Sequence, residues 1–386
     1  MYLQETPEQL ALRAELRAYF AKIITDDVRA ALDGEGDGGV VFHATVRQMG
    51  QDGWLGIGWP KEYGGQGRPT SDQFIFFNEV QRARAPFPFV TLNTVGPMLM
   101  RHGTQEQKDF FLSGILKGEI NCAIGYTEPG SGTDLASLRT KAVRDGDEWV
   151  IDGNKIFTSG ADQADYIWLA TRTDPDAPKH KGISIFLVPT SSPGFSCTPL
   201  VTVGGTVTTA SYYDGVRVPL TALVGELNEG WRLITGQLNH ERVGLAAMSA
   251  LSQRLWLEVA DWALANDVAD VGWVQADLAR SHALLEAQNL LNWRMTAAVA
   301  DDTLGPADSS AVKVFGTEST IEVYRMLLGI VGAGGYLRPG SPGAVLHGEI
   351  ERAARGCQIN TFGGGVNEVQ REILATAGLG MKRSAR

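Results

Sequence analysis

Cysteine is scarce in this chain of 386 residues. Its three cysteines, Cys122, Cys197 and Cys357, are far apart and odd in number. They provide neither the disulfide framework of a small secreted domain nor the closely spaced ligands of a metal site. We therefore expect a protein of the reducing cytoplasm, with no structural disulfide and no metal.

Basic charge and long apolar runs are also missing. The net charge is -10, from 34 Lys and Arg against 44 Asp and Glu, which argues against general nucleic-acid binding because phosphates need a basic face. No uninterrupted apolar run approaches the length of a membrane span. The first predicted helix, which starts at Thr6 and Pro7, is too charged for a secretory signal. We expect neither a membrane span nor a signal peptide.

Three units of different character follow one another along the chain. Residues 1–117 have the period of helices joined by polar connections. Residues 118–225 contain short alternating or apolar runs between tight turns, which predict a small antiparallel barrel or sandwich. Residues 226–386 return to long helical periods and predict a helical bundle. The expected fold class is mainly α with a β middle domain.

A carboxylate interrupts the apolar stripe of the first long helix predicted in the third unit. Between Trp231 and Val259, apolar positions recur at steps of three, four or seven, and Glu241 occupies one of them. A carboxylate on such a stripe is paired, protonated or used chemically. The adjacent Arg242 would neutralise it in a structural ion pair, or Glu241 would lie at a solvated edge of the helix. The helix pattern alone favours one of these two structural interpretations.

Two polar stretches of the middle unit have the composition of a ligand site. Residues 123–134, AIGYTEPGSGTD, place two glycines among hydroxyl side chains, and such a loop can cradle a pyrophosphate or hydrogen-bond a polar ring. Residues 154–160, NKIFTSG, place the aromatic Phe157 beside Thr158 and Ser159, which suits a flat heterocycle. Taken singly, each stretch is also typical of an ordinary turn or of a strand with one core aromatic.

The order of these motifs resembles the acyl-CoA dehydrogenase family. GYTEPGSGTD, then KIFTSG, then a long helix opening a helical C-terminal unit follow the family pattern, as do GWPKEYGG at 58–65 and NEVQREILATAGLG at 367–380. The resemblance covers nearly the whole chain. It implies an N-terminal helical domain, a middle β domain and a C-terminal four-helix bundle, with FAD between the last two. It also implies α,β-dehydrogenation of an acyl-CoA thioester, with electrons passing to an electron-transferring flavoprotein.

The resemblance also assigns residues to the cofactor. The flavin ring is expected against the stretch with Tyr126 and Thr127 and against the stretch that begins at Phe157. Thr133 matches a position whose hydroxyl contacts the FAD phosphates. The full set expected at the cofactor is Tyr126, Thr127, Gly132, Thr133, Phe157, Thr158, Ser159, Gly363 and Gly364.

The position of the catalytic base departs from the commonest family pattern. Many members carry the base in a Tyr-Glu-Gly-Thr segment just before a Glu-X-Gln-Arg signature, but alignment on Glu368–Arg371 places Gly364 at that position. A smaller group keeps the base on the first long bundle helix, where Glu241 matches. Glu241 is therefore the expected base, and Arg242 matches an arginine that helps to hold the carboxylate. Burial would raise the pKa of such a carboxylate and strengthen it as a base.

Groups that usually bind the ADP part of FAD are missing. Residues 266–275, NDVADVGWVQ, lack the usual Arg and Phe-Gly pair, and residues 329–335, GIVGAGG, lack the usual glutamine. A different subunit would have to supply these groups. The chain resembles the base-bearing subunit of actinobacterial steroid-degrading members, which assemble as α2β2 heterotetramers. A second, homologous dehydrogenase subunit is thus the expected partner.

The glycines that replace the Tyr-Glu pair bear on the substrate. Gly363 and Gly364 would open volume at the pocket wall, so the hypothesised substrate is a bulky CoA thioester, a steroid with a shortened side chain. The glycines would alternatively serve only backbone geometry. Two other functions stay open. One is a non-catalytic structural subunit with a vestigial site, and the other is a flavin oxidase or monooxygenase on the same fold.

Overall fold

The computed structural model describes residues 4–35, 38–237 and 249–382. Before residue 120 the described chain is helical. The first helix begins where Thr6 and Gln9 form a reciprocal capping box, and its buried Leu12, Leu16 and Phe20 repeat at steps of four, so one face packs inward. The helices span Pro7–Ile23 (α1), Asp26–Glu35 (α2), Val40–Gln51 (α3), Thr70–Ala83 (α4), Gly96–His102 (α5) and Gln105–Leu116 (α6).

The middle of the chain forms one sheet, which the described residues 122–224 build from eight strands. The strands are Cys122–Gly125 (β1), Lys141–Asp145 (β2), Glu148–Ile156 (β3), Tyr166–Arg172 (β4), Ile183–Pro189 (β5), Phe195–Val201 (β6), Val207–Pro219 (β7) and Leu223–Val224 (β8). Their order in the sheet is β6-β7-β3-β2-β4-β5-β8, and β1 lies beside β4.

The sheet is mostly antiparallel, but two of its strand pairs are parallel. β1 runs parallel to β4, with Cys122 opposite Tyr166, and β2 also meets β4 in parallel. The physical reason is that β1 enters from the helical unit and pairs with a strand distant in sequence instead of forming a hairpin. A bulge at Gly153 bends β3, and a Cβ there would lie 2.6 Å from the Thr140 hydroxyl, so the close approach requires glycine.

The chain is helical again at residues 231–237 and beyond residue 248. A helix is broken where Gly332 adopts a positive φ of 72°. The long helices share a buried core of aliphatic and aromatic side chains that includes Leu255, Leu285 and Leu327. The helices are Ser249–Ala265 (α7), Gly272–Ala300 (α8), Pro306–Val331 (α9), Glu349–Gly356 (α10) and Asn367–Ile373 (α11).

The predicted fold class, mainly α with a β middle domain, is confirmed by this arrangement. One apolar core runs from the N-terminal helices across the β4 face with Trp168 to Ile234 and Met295 of the C-terminal unit. The three units therefore pack around common side chains. Among the described helices, none has the length and hydropathy needed to cross a membrane.

Candidate active site

A large cavity of about 930 Å³ lies where the three units meet. Phe89 and Val90 line it from the N-terminal unit, Ile124 and residues 204–207 line it from the β domain, and the bundle contributes much of the remaining wall. A volume of this size is that of a small-molecule site. The bundle side includes Leu251, Gln288, Asn292, Met295, Val312, Lys313, Gly316, Gly363 and Gly364. Gly363 and Gly364, two of the residues predicted at the cofactor, are therefore on this wall.

The predicted base lies outside the described residues. Glu241 and its neighbour Arg242 fall within 238–248, which separate the described helical residues 231–237 from α7. Their assignment therefore stays a prediction from the sequence. On either side of the gap, Leu251 lines the cavity and Gln237 bonds to Tyr126 of the β domain.

A buried ion pair joins the two polar stretches of the middle domain. The Lys155 ammonium donates to Glu128 Oε1 at 2.8 Å and to the Tyr126 carbonyl at 3.1 Å. The backbone N–H groups of Arg139 and Thr140 donate to the same carboxylate at 2.7 and 2.8 Å. These bonds hold the glycine-containing turn after β1 against the end of β3, so the two stretches form one rigid corner.

The charges of this pair are set by opposing effects. Burial acts to raise the pKa of Glu128, but Lys155 and the two backbone N–H groups hold it below its usual value. Burial lowers the pKa of Lys155 to about 8, although Glu128 acts in the opposite direction. At neutral pH the carboxylate and the ammonium are both charged. The attraction between them offsets part of the hydration that each group loses on burial.

Tyr126 connects the β domain to the helix that precedes residue 238. Its hydroxyl donates to Gln237 Oε1 at 2.6 Å and accepts from the indole N–H of the buried Trp168 at 2.9 Å. Gln237 itself is buried. The tyrosine therefore fixes the helical residues 231–237 relative to β4, and the chain reaches Glu241 four residues later.

The turn after Tyr126 leaves polar groups accessible. The Thr127 carbonyl accepts from the backbone N–H of Ile156 at 2.8 Å, which anchors the turn to β3. Gly132 and Thr133 beyond it are exposed. A Cβ at Gly132 would meet nothing closer than the Thr127 methyl at 3.7 Å, so internal packing does not require glycine there. The open backbone and the adjacent hydroxyl suit an anionic ligand.

Phe157 presents an aromatic ring to solvent at the end of β3. Its side chain is 61% exposed and its backbone has a positive φ of 60°. A strained aromatic residue with so much exposed surface is typical of a functional position. The exposed Ser159 hydroxyl donates to Thr208 at 2.9 Å, whereas Thr158 is fully buried and its hydroxyl bonds to Ser211 at 3.1 Å. Phe157 and Ser159 are thus available to a ligand, and the Thr158 side chain serves the interior of the β domain.

Family models match this chain in all three of its units. The models for the N-terminal, middle and C-terminal domains of acyl-CoA dehydrogenases match residues 6–119, 123–214 and 228–379. The chain belongs to the acyl-CoA dehydrogenase family. Its predicted membership, its fold and its class as an FAD-dependent dehydrogenase are confirmed.

Relatives of this dehydrogenase match over its full length. Acyl-CoA dehydrogenase FadE26 of Mycobacterium tuberculosis is 50% identical, over 100% of both chains. The solved Tcur3481-Tcur3483 steroid ACAD is 62% identical, covers 100% of both chains and has a TM-score of 0.97. The ChsE4-ChsE5 complex from Mycobacterium tuberculosis is 50% identical, covers 100% of both chains and has a TM-score of 0.93. The predicted resemblance to steroid acyl-CoA dehydrogenases is confirmed.

Sequence reasoning missed three charged groups of this dehydrogenase. Glu128 and Lys155 lie in the two polar stretches of the middle unit. Those stretches were interpreted as a ligand site from their glycines, hydroxyl groups and aromatic ring alone. A signal was present, because Lys155 sits at an inward position of a strand whose alternate residues Trp149 and Ile151 are buried. Lys313, which lines the cavity from α9, was also missed. It occupies a stripe with the buried Ser309 and Gly316, where a lysine needs specific acceptors.

Proposed function

We propose that this chain is the base-bearing, catalytic subunit of a heteromeric FAD-dependent acyl-CoA dehydrogenase for bulky, steroid-type CoA thioesters. The observation that carries the proposal is the cavity of about 930 Å³ walled by Gly363 and Gly364, where many members have a Tyr-Glu pair. The steroid ACAD that is 62% identical supports the substrate class. The cytoplasm is the proposed location, since the described cysteines are free.

The corner around Phe157 has the groups that FAD needs. The exposed Phe157 ring offers a flat surface, Ser159 offers a hydroxyl beside it, and the exposed Gly132 and Thr133 offer an open backbone and a hydroxyl for phosphate. Tyr126 and Thr127 lie on the turn that the ion pair holds beside them. These residues would hold the cofactor, which when bound supplies the oxidising power of the reaction.

Glu241 is the proposed base, and Arg242 the residue that helps to hold it. The support is its place on an apolar helical stripe and the glycine at the alternative position, Gly364, where no carboxylate is available. The α-proton of a thioester is weakly acidic, so its removal needs a base that is desolvated and correctly placed. The Tyr126–Gln237 bond supports this placement by fixing the chain just before residue 238.

A second, homologous subunit is the proposed partner, in an α2β2 assembly that passes electrons to an electron-transferring flavoprotein. Support comes from the missing ADP-binding groups and from exposed apolar side chains close in sequence to Gly204 and Gly363, which line the cavity. Val201 and Val203 on the β6–β7 hairpin are 82% and 88% exposed, and Phe362 beside the glycines is 64% exposed. Exposed large apolar side chains next to a site are typical of an interface. The ChsE4-ChsE5 complex is a relative that is solved with two different chains.

The deciding experiment is anaerobic flavin bleaching by the complex of this chain with its co-expressed dehydrogenase subunit. We expect a steroid side-chain CoA thioester to bleach the wild-type flavin and to leave Glu241→Gln unbleached. Glu226→Gln serves as the matched control, because Glu226 is an exposed carboxylate shortly before the same helical segment.

Equal bleaching by wild type and Glu241→Gln would indicate that the partner subunit carries out the reaction, and would favour the structural-subunit alternative. Faster bleaching by a straight-chain acyl-CoA than by the steroid-CoA would contradict the proposed substrate class. Turnover with oxygen but without another electron acceptor would favour an oxidase.

A further inference from the structure

A single lysine ties both ends of the glycine-rich segment at the cavity wall. Lys313 on α9 donates to the Thr361 carbonyl at 3.2 Å and to the Gly365 carbonyl at 2.7 Å. Residues 361–365, which we name the glycine loop, lie between these two acceptors and contain Gly363 and Gly364 of the cavity wall. One ammonium group therefore holds the two ends of the loop together.

The same lysine is the start of a network that holds the helix after the loop. Its third bond goes to Asn367 Oδ1 at 2.6 Å, and Asn367 Nδ2 donates to Glu318 Oε1 at 3.0 Å. The other oxygen of Glu318 accepts from Arg371 at 2.7 Å. The glycine loop is thus attached to α9 on one side and to α11 on the other through charged or amide groups.

The loop needs such a tether because of its composition. Three successive glycines lose more conformational freedom on ordering than any other tripeptide. Gly364 and Gly365 have positive φ values of 66° and 93°. A second, weaker attachment is present, since Gln370 Nε2 donates to the Gly364 carbonyl at 3.4 Å. Removal of the lysine is therefore expected to loosen the loop without unfolding the bundle.

We propose that Lys313 is a positioning residue, whose ammonium group keeps the glycine loop in the shape that admits bulky acyl groups. This inference rests on the proposed function for the substrate class, but the tether itself does not. A loosened loop can collapse into the cavity and reduce its volume. The smaller cavity would weaken binding of a bulky acyl group more than binding of a straight chain.

The tether depends on the charge of the lysine. Three acceptors require three N–H groups, which only the ammonium form carries. Burial lowers the pKa of Lys313 to about 8, although Glu368 and Glu318 act in the opposite direction. The charged groups that face it in the described chain are these two carboxylates and Arg371, which pairs with Glu318. The loop should therefore loosen as the pH rises through about 8.

The first test is hydrogen exchange at residues 361–367 in the intact complex, which needs no substrate. We expect Lys313→Met to speed exchange in the loop by roughly tenfold, the effect of one charge-assisted hydrogen bond, and Lys313→Arg to restore part of the protection. Lys141→Met is the control, because Lys141 is 58% exposed on the β domain. Unchanged loop exchange in Lys313→Met would overturn the proposal.

The second test is selectivity, measured as the ratio of kcat/KM for a steroid-CoA to kcat/KM for a straight-chain acyl-CoA. We expect the wild-type ratio to fall as the pH rises through about 8 and the Lys313→Met ratio to be low and independent of pH. The selectivity role would be overturned if wild type and Lys313→Met had the same ratio. It would also be overturned if Lys141→Met lowered the ratio as much as Lys313→Met does. If the wild-type complex turns over no steroid-CoA, the proposed substrate is wrong, while the exchange measurement still decides the role of Lys313.

Discussion

Lys155 and Glu128 form an ion pair 2.8 Å long, with the lysine fully buried and the glutamate 8% exposed. The pair connects β3 to the turn after β1, and two backbone N–H groups complete the coordination of the carboxylate. Since both stretches belong to the proposed flavin site, the shape of that site depends on an ion pair buried behind it.

Removing one member of this pair should be more damaging than removing both. We expect Lys155→Met to lower the free energy of unfolding by about 3 to 5 kcal/mol, because Glu128 is left buried without its cation. The double variant Glu128→Gln/Lys155→Met should regain much of that loss. Chemical denaturation of four proteins, the wild type, Lys155→Met, Glu128→Gln and the double variant, checks this. A loss in the double variant equal to the sum of the two single losses would show that the two side chains act independently.

The pair also predicts a pH dependence of stability. The folded-state pKa of Lys155 is lowered by burial to about 8, below the ordinary value of 10.5. Between these values the unfolded chain binds more protons, so the free energy of unfolding rises with pH in this window and falls as the pH drops through about 8. The difference between wild type and the double variant should follow this trend. A difference that stays constant across the window would contradict it.

Tyr126→Phe should affect both stability and turnover. The variant leaves the buried Trp168 N–H without its acceptor, at a cost of about 1 to 3 kcal/mol, and removes the hydrogen bond from Tyr126 to Gln237. We expect kcat to fall more than KM rises, because the change acts on the chain that leads to Glu241. Tyr212→Phe is the control, since Tyr212 is 42% exposed. Kinetics of the complex that match wild type would rule out this positioning role.

Phe157→Ala should weaken flavin binding without destabilising the fold. The ring is 61% exposed, so its removal costs little packing, whereas stacking on a flat ring contributes about 1 to 3 kcal/mol in comparable nucleobase sites. Flavin retention after dialysis of the complex measures the effect. Phe110→Ala, at 57% exposure in the N-terminal unit, should retain the flavin fully. Equal retention by both variants would remove Phe157 from the cofactor site.

Local patterns predicted the elements of the fold well. The capping box at Thr6 starts α1 as its sequence indicates. The short alternating apolar runs of the middle unit form strands in the structure. Such patterns are predictive because the spacing of apolar residues indicates which side of an element faces the core. The parallel neighbour of β4 was not predictable in this way, since the choice of strand partner depends on the path of the chain between the units.

The sequence by itself determined the family, the order of the three units and the set of site motifs, because each depends on residues close together in the chain. Only the tertiary structure decided which of these residues act together. Lys155 and Glu128 are 27 positions apart, Lys313 and Gly365 are 52 apart, and Tyr126 and Gln237 are 111 apart. Spacing carries no information about such contacts, since they form only when packing of the apolar core brings separate elements together.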